Sequence, residues 1–187
     1  MYKRQQQAHL QNVKSAIPYA TTPKTTTSST SSSSDEELIL NPIIDLSGWQ
    51  LPQDIDYDVL SNHISGAIIR VFGGSLISKD SNAASSNGVD KSFKTHIKEL
   101  KKRDVPVAVY SYAQGTSVKE MKEEARIFYK NASPYKPTYY WIDVEEETMS
   151  NMEQGVQAFL AELKRLGAEN VGLYIGCLLY TSPSPRD

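Results

Sequence analysis

In the stretch TYYWIDVEEE, residues 138–147, an aromatic, β-prone run passes directly into four carboxylates: Asp143, Glu145, Glu146 and Glu147. Asp and Glu are depleted in strands, so a strand that ends in acid calls for a reason. With a side-chain period of two, Asp143 and Glu145 share one face, while Val144 and Glu146 point the other way. Asp45 closes an earlier apolar run, NPIIDLS. Three carboxylates crowded at one sheet end raise at least one pKa by repulsion and desolvation, the usual preparation of a general acid. Tyr110 and Tyr112 end another strand with the same alternation, and Trp49, Trp141 and Tyr174 lie near other strand ends. Aromatic platforms beside paired acids suit sugar rings, whose apolar faces stack while their hydroxyls hydrogen-bond. For one Asp-x-Glu alone, a solvated strand end is an equal reading. The matched Asp45 and the aromatic surround weigh against it.

Regular elements must hold these residues in place. NPIIDLS reads as a first buried strand ending at Asp45, GAIIRVF (66–72) as a second and VPVAVYSYA (105–113) as a third. TYYWIDVE is the fourth and NVGLYIG (170–176) the fifth. Between them, Phe93, Ile97 and Leu100 recur at helical spacing. Val118, Met121, Ala125 and Phe128 form the stripe of a second helix, and Val156, Phe159, Leu160, Leu163 and Leu166 that of a third. Ser117 with Glu120, and Ser150 with Glu153, match the capping box, and Gly167 is the expected stop of the last helix. Near-continuous apolar strands alternating with helices predict a parallel sheet, either an open doubly wound sheet or a (β/α) barrel. Both architectures place function at the carboxyl ends of their strands. No glycine-rich phosphate loop follows the first strand, which disfavours a nucleotide site.

The chain has 187 residues, a formal charge of −2 and 39% hydrophobic content, which suits one globular domain plus a disordered stretch. The charge is too balanced to point to nucleic acid, and no apolar run approaches the roughly 18 residues of a membrane span. Thr21–Ser34 is Ser or Thr at all but two positions and is expected to be disordered, within a linker covering residues 6–40. CLLYTSPSPRD (177–187) breaks abruptly from what precedes it. A back-translation of Cys177–Thr181 has a reverse complement that reads as the opening MYKRQ. Residues 1–5 and 177–187 are therefore expected to be adaptor-derived, leaving 41–176 as part of a longer natural domain. The only cysteine, Cys177, falls in that terminal stretch and says nothing of redox compartment.

IIDLSGWQLPQDIDYDVLS resembles the opening strand and helix of the glycoside hydrolase family 25 lysozymes, with its D-x-S-x-W-Q core. VPVAVYSYAQGTSVKEMKEEARIFY is similar to that family's third strand and following helix, and YYWIDVE to its D-x-E strand. The resemblance covers about residues 42–176. It implies an irregular α/β, TIM-like barrel of which about the first five βα units are present. It also implies cleavage of the β-1,4 bond between N-acetylmuramic acid and N-acetylglucosamine in peptidoglycan. By the same resemblance Glu145 is the general acid, Asp143 stabilises the substrate's own 2-acetamido group, and Asp45 hydrogen-bonds within the cluster and helps keep Glu145 protonated. Tyr112 and Tyr110 would line the sugar subsite, with Trp49 and Tyr174 as further sugar-binding candidates. The implied protein is a secreted or wall-associated bacterial monomer without cofactor or metal, whose partner is the peptidoglycan glycan strand. The family places a further active-site Asp on a later strand. The 134 residues from Ile43 to Gly176 fall short of the roughly 200 of a small barrel. As written, the chain is expected to fold poorly and to be inactive.

Other features have plainer readings. The acids of DIDYD (54–58) suit a helix N-terminus better than a metal loop. His63 and His96 lack a second ligand at helical spacing, and Ser47 lacks a nucleophile-elbow context. KELKKRD reads as a solvated helix end, and the sequon at Asn131 is followed by Pro134. Two further functions compete with a hydrolase of sugars. One is a glycan-binding module on a degenerate barrel, which would need no poised acid pair. The other is a metal-dependent barrel hydrolase, which would need His or further acids at the ends of strands two, three and five.

Overall fold

The computed structural model describes residues 41–73, 83–85 and 87–176. The expected adaptor-derived ends (1–5 and 177–187), the linker (6–40) and much of the loop between Gly73 and Gly88 lie outside the described residues.

Among the described residues five strands form one sheet: β1 (Ile43–Leu46), β2 (Gly66–Phe72), β3 (Val107–Tyr112), β4 (Tyr140–Val144) and β5 (Val171–Ile175). All neighbouring pairs are parallel, and the order β1-β2-β3-β4-β5 follows the chain. A doubly wound sheet reverses its order at a switch point. Here there is no reversal, so of the two architectures open to the sequence the strand order follows barrel winding. Among the described residues four α-helices connect the strands: α1 (Tyr57–Ser61), α2 (Phe93–Lys101), α3 (Val118–Ala132) and α4 (Met152–Leu166).

The core lies on the helical side of the sheet. Ala67, Ile69 and Val71 of β2, Val107 and Val109 of β3, and Tyr140, Ile142 and Val144 of β4 bury themselves against it. The helices answer with the stripes their spacing predicts: Phe93, Ile97 and Leu100 from α2, Met121, Ala125 and Phe128 from α3, and Val156, Phe159 and Leu163 from α4. Phe128 packs edge-on to Tyr140 at 5.8 Å and tilts against Phe159 at 6.3 Å. Burial of one such ring is worth about 1.5–3 kcal/mol. The stripe of α3 contains one residue that apolar spacing does not predict, the fully buried Glu124.

The helix ends depart from expectation by single residues. Ser117 does cap α3, its hydroxyl accepting from the Glu120 amide at 3.3 Å. Glu120 instead reaches past the cap and accepts from the Thr116 amide and hydroxyl at 2.8 and 2.7 Å. The cap of α4 is Asn151 rather than Ser150, its side chain accepting from the Gln154 amide. Asparagine serves as well as serine here, so composition alone does not choose between adjacent candidates. Gly167 ends α4 in the left-handed region at φ 106°, as a C′ glycine should. Asp56 caps α1 by accepting from the Asp58 and Val59 amides, which gives DIDYD its role as a helix start. KELKKRD is more than a solvated end. Arg103 bonds Asp58 of α1 and Glu99 of α2, each at 2.6 Å, and ties those helices together.

Candidate active site

The face of the sheet away from the helices is half-open and carries the polar and aromatic side chains. In a parallel sheet, paired residues point to the same side. Register therefore aligns Asp45 with Ile68, Arg70 with Tyr110, Tyr110 with Trp141, Tyr112 with Asp143, and Asp143 with Tyr174. Asp45, Tyr110, Asp143 and Tyr174 thus share one surface although they come from four strands. Glu145 is the first residue beyond β4 and is exposed.

The acids on this face act on one another. Asp143 is 9% exposed, and its Oδ1 is buried without a hydrogen-bond partner. Burial first, then the charges of Glu145 and Asp45, push its pKa up to about 7, against a smaller opposing pull from Arg70. Asp45 keeps an exposed flank, yet its carboxyl end is crowded by protein, and that desolvation moves its pKa upward. Tyr110 donates to Asp45 Oδ2 at 3.4 Å and, with Arg70, partly offsets the shift. The Tyr110 hydroxyl is itself driven above its usual range by burial and then by the Asp45 charge, so it stays a donor. The expected crowding of Asp45, Asp143 and Glu145 therefore exists, with Asp143 the most deeply set.

Tyr112 and Glu146 correct the alternation argument. The Tyr112 hydroxyl donates to Glu146 Oε1 at 2.9 Å. Glu146, read from the sequence as pointing the other way, is exposed yet tied to the face it was expected to leave. The period of two holds only inside a strand, and β4 ends at Val144.

The aromatics divide into two groups. Trp141 stacks on Tyr139 at 5.8 Å and lies across Gly172, where a Cβ would meet the indole at 2.4 Å. Tyr174 and Trp49 are 56% and 38% exposed, Tyr174 beside Asp143 in register and Trp49 on the turn after β1. That turn is built by its own sequence. The Gln50 side chain accepts from both the amide and hydroxyl of Ser47, and the Ser47 hydroxyl accepts from the Trp49 amide at 3.3 Å. Ser47 is a turn residue in this setting. Beneath it, buried His96 hydrogen-bonds Tyr57 through Nδ1 at 2.6 Å and the Ser47 carbonyl through Nε2 at 3.2 Å. His96 is thus a satisfied core histidine supporting the Trp49 turn.

Sequence reasoning missed Arg70 and Asp90. Arg70 is a cation on the acid face and lowers the pKa of both Asp45 and Asp143. Its Nε donates to Asp90 Oδ2 at 3.0 Å, while Nη2 is buried without a partner. Asp90 also accepts from the Gly48 amide at 2.6 Å and from the Ser92 and Phe93 amides at 2.8 and 3.1 Å. It therefore joins the β1 turn, β2 and the start of α2. The available signal was a charged residue in the middle of the apolar run GAIIRVF. Among the described residues, no group of three or more His, Cys, Asp or Glu side chains could hold a metal ion. Nor is any described helix long and apolar enough to cross a membrane.

The comparisons with known proteins agree with this geometry. Glycosyl hydrolases family 25 matches residues 44–183, a span that runs beyond Gly176 into the segment expected to be adaptor-derived. Glycosyl hydrolase 25 GHIP of Streptococcus pneumoniae, described as a virulence factor participating in host cell invasion, is 56% identical with a TM-score of 0.72. The alignment covers 75% of this chain and 61% of that one, so the chain spans about three-fifths of its relative's length. The catalytic domain of endolysin Ply40, from bacteriophage P40 of Listeria monocytogenes, shares the fold at 24% identity and a TM-score of 0.62. That match covers 74% of this chain and 64% of Ply40. The modular autolysin LytC of Streptococcus pneumoniae does so at 23% and 0.59, over 73% of this chain and 32% of LytC. No curated protein sequence gives a significant match. An acid-lined parallel sheet of this order, matched over most of its length by one family, places the chain in glycosyl hydrolase family 25.

Proposed function

We propose that the chain carries the acid face of a peptidoglycan hydrolase, a muramidase cleaving the β-1,4 bond between N-acetylmuramic acid and N-acetylglucosamine. The observation that carries the reading is the buried Asp143 carboxyl, pushed up to about 7 beside Glu145 and Asp45 at the carboxyl ends of β4 and β1. A solvated strand end would not produce that shift. In this reading Glu145 protonates the leaving oxygen, and its exposure lets it meet a glycan lying along the open face. Asp143 stabilises the 2-acetamido group that attacks the anomeric carbon, a substrate-assisted route. Asp45, held by Tyr110, sets the local field. Tyr112, Tyr174 and Trp49 offer stacking and hydrogen-bonding surface to the sugars. A wall substrate goes with secreted or wall-associated action by a monomer, and the glycan needs no cofactor for hydrolysis.

A second division of labour also has an observation in its favour. Asp143 is the buried carboxyl that holds its proton to near neutrality, which fits a proton donor. The protein carried to the full length of its 56%-identical relative, incubated with peptidoglycan and analysed for new reducing ends on muramic acid, tests both. Glu145→Gln is expected to abolish cleavage and leave glycan binding intact. Near-normal turnover in Glu145→Gln with loss in Asp143→Asn would exchange the two roles. Binding without cleavage by the unsubstituted full-length protein would favour a glycan-binding module instead.

A further inference from the structure

We infer that Glu124, buried in α3 and remote from the sugar face, is a positioning residue that fixes the loop carrying Glu145. This rests on the reading of Glu145 as a member of the catalytic set.

Glu124 is 0% exposed and occupies the apolar stripe of α3 between Met121 and Phe128. A carboxyl in that position is costly and is retained only where it makes bonds that nothing apolar can supply. Its Oε2 accepts from the backbone amide of Gln114 at 3.2 Å, and the Gly115 amide also acts on the carboxyl. Of the charged groups, Glu120, one turn earlier on the same helix, acts on it. The two amides belong to the segment that leaves β3 immediately after Tyr112. Gly115 is pressed against the first turn of α3, since a Cβ there would meet the Met121 amide nitrogen at 2.9 Å.

From this anchored segment three bonds cross to β4 and the loop after it. The Ala113 amide donates to the Asp143 carbonyl at 2.9 Å. The Thr148 hydroxyl donates to the Gly115 carbonyl at 2.7 Å. The Tyr112 hydroxyl donates to Glu146 Oε1 at 2.9 Å. Glu145 therefore lies between two tethered points, Asp143 and Glu146–Thr148, whose partners all sit within four residues of one another beside Glu124. A loop bearing a proton donor must be held to a fraction of an ångström for productive geometry. Glu124 holds the far side of that tether from inside the core.

Amide hydrogen exchange on the full chain, compared for Glu124→Ala and Glu124→Gln, tests this without needing activity. Gln retains a carbonyl that can accept from Gln114. Loss of a buried acceptor should raise exchange at residues 145–149 on the order of tenfold in Glu124→Ala, while Glu124→Gln stays within about twofold of the parent. Residues 47–50 of the opposite loop should be unaffected in both. Unchanged exchange at 145–149 in the Ala variant would overturn the proposal. So would equal acceleration over the whole sheet in both variants, which would mark a purely global role. In a cleavage assay Glu124→Ala should lower kcat about tenfold with KM within twofold, and Glu124→Gln should restore kcat. A rise in KM alone would also overturn it. If the unsubstituted full-length protein cleaves no peptidoglycan, the proposed function fails, and exchange alone decides the tether.

Discussion

Arg70 Nε bonds Asp90 at 3.0 Å, while the guanidinium electrostatically steadies two other acids, Asp45 and Asp143. The guanidinium is thereby fixed in place as a background charge on the acid face. Gly73 follows closely enough that a Cβ there would meet Arg70 Nε at 2.5 Å, so the side chain has little room to turn away. Replacing Arg70 with Met should destabilise the fold by about 3–5 kcal/mol, because Asp90 would remain as a buried charge without its cation. The Asp143 carboxyl should then titrate above its present value of about 7. Urea unfolding and a carbon-13 NMR titration of the Asp side chains measure the two effects separately.

Stability should fall as pH rises through neutrality. Asp143 and Glu124 both have folded-state pKa values pushed up to about 7, from 3.8 and 4.5. Between those limits the folded chain binds more protons than the unfolded one. The stabilisation is thus fully present below about pH 4 and is lost as pH passes through about 7. At pH 8 the cost should be on the order of 3 kcal/mol for each group. Asp143→Asn and Glu124→Gln should each flatten part of the profile, read from denaturation midpoints between pH 4 and 8.

His96 should act in the opposite sense. Burial lowers its pKa from 6.5, so the folded chain holds it neutral while the unfolded chain takes up a proton. Its contribution is present above about 6.5 and is lost as pH falls through the lowered folded value. His96→Gln should remove this acid-side slope, and should also loosen the Ser47–Gln50 turn that presents Trp49. Trp49 fluorescence across an acid titration, with Trp141 replaced by Phe, follows both.

Gly172→Ala should displace the Trp141 indole, since the added methyl would lie 2.4 Å from two ring carbons. Overpacking of this kind costs about 1–3 kcal/mol. If Trp141 contributes to the sugar platform, glycan binding should weaken with it. Thermal melting and fluorescence of the Gly172→Ala chain in a Trp49→Phe background separate the packing loss from the binding loss.

Much of this was legible from local pattern. The limits of β2 fall at 66 and 72 as read, the stripe of α2 buries the residues its spacing selects, and that of α4 buries Val156, Phe159 and Leu163 while Leu160 and Leu166 stay half-buried. Asp45, Tyr110 and Asp143 share a face because strand alternation and parallel register both follow from short-range rules. What escaped was long-range or terminal. Arg70 finds Asp90 twenty residues on, and Asp90 finds Gly48 forty-two residues back, distances over which no periodicity carries information. Glu146 escaped because alternation was extended two residues beyond the end of β4. Glu124 escaped because an acid on an apolar stripe looks like an interruption until its loop partners are seen.

The strand order has one more implication, for how the chain comes together. Because each strand pairs with the one before it, every parallel pairing can form as soon as its own βα unit has emerged from the ribosome. From β1 to β5 the loop closures stay short, since each described strand pairs with its neighbour in sequence. Asp45 and Arg70 are then in place one pairing into the process, whereas Asp143 and Glu145 arrive only with the fourth strand. Arg70 precedes Asp143 and Glu145, so the growing sheet takes on their repulsion with Asp45 when the counter-charge is already seated.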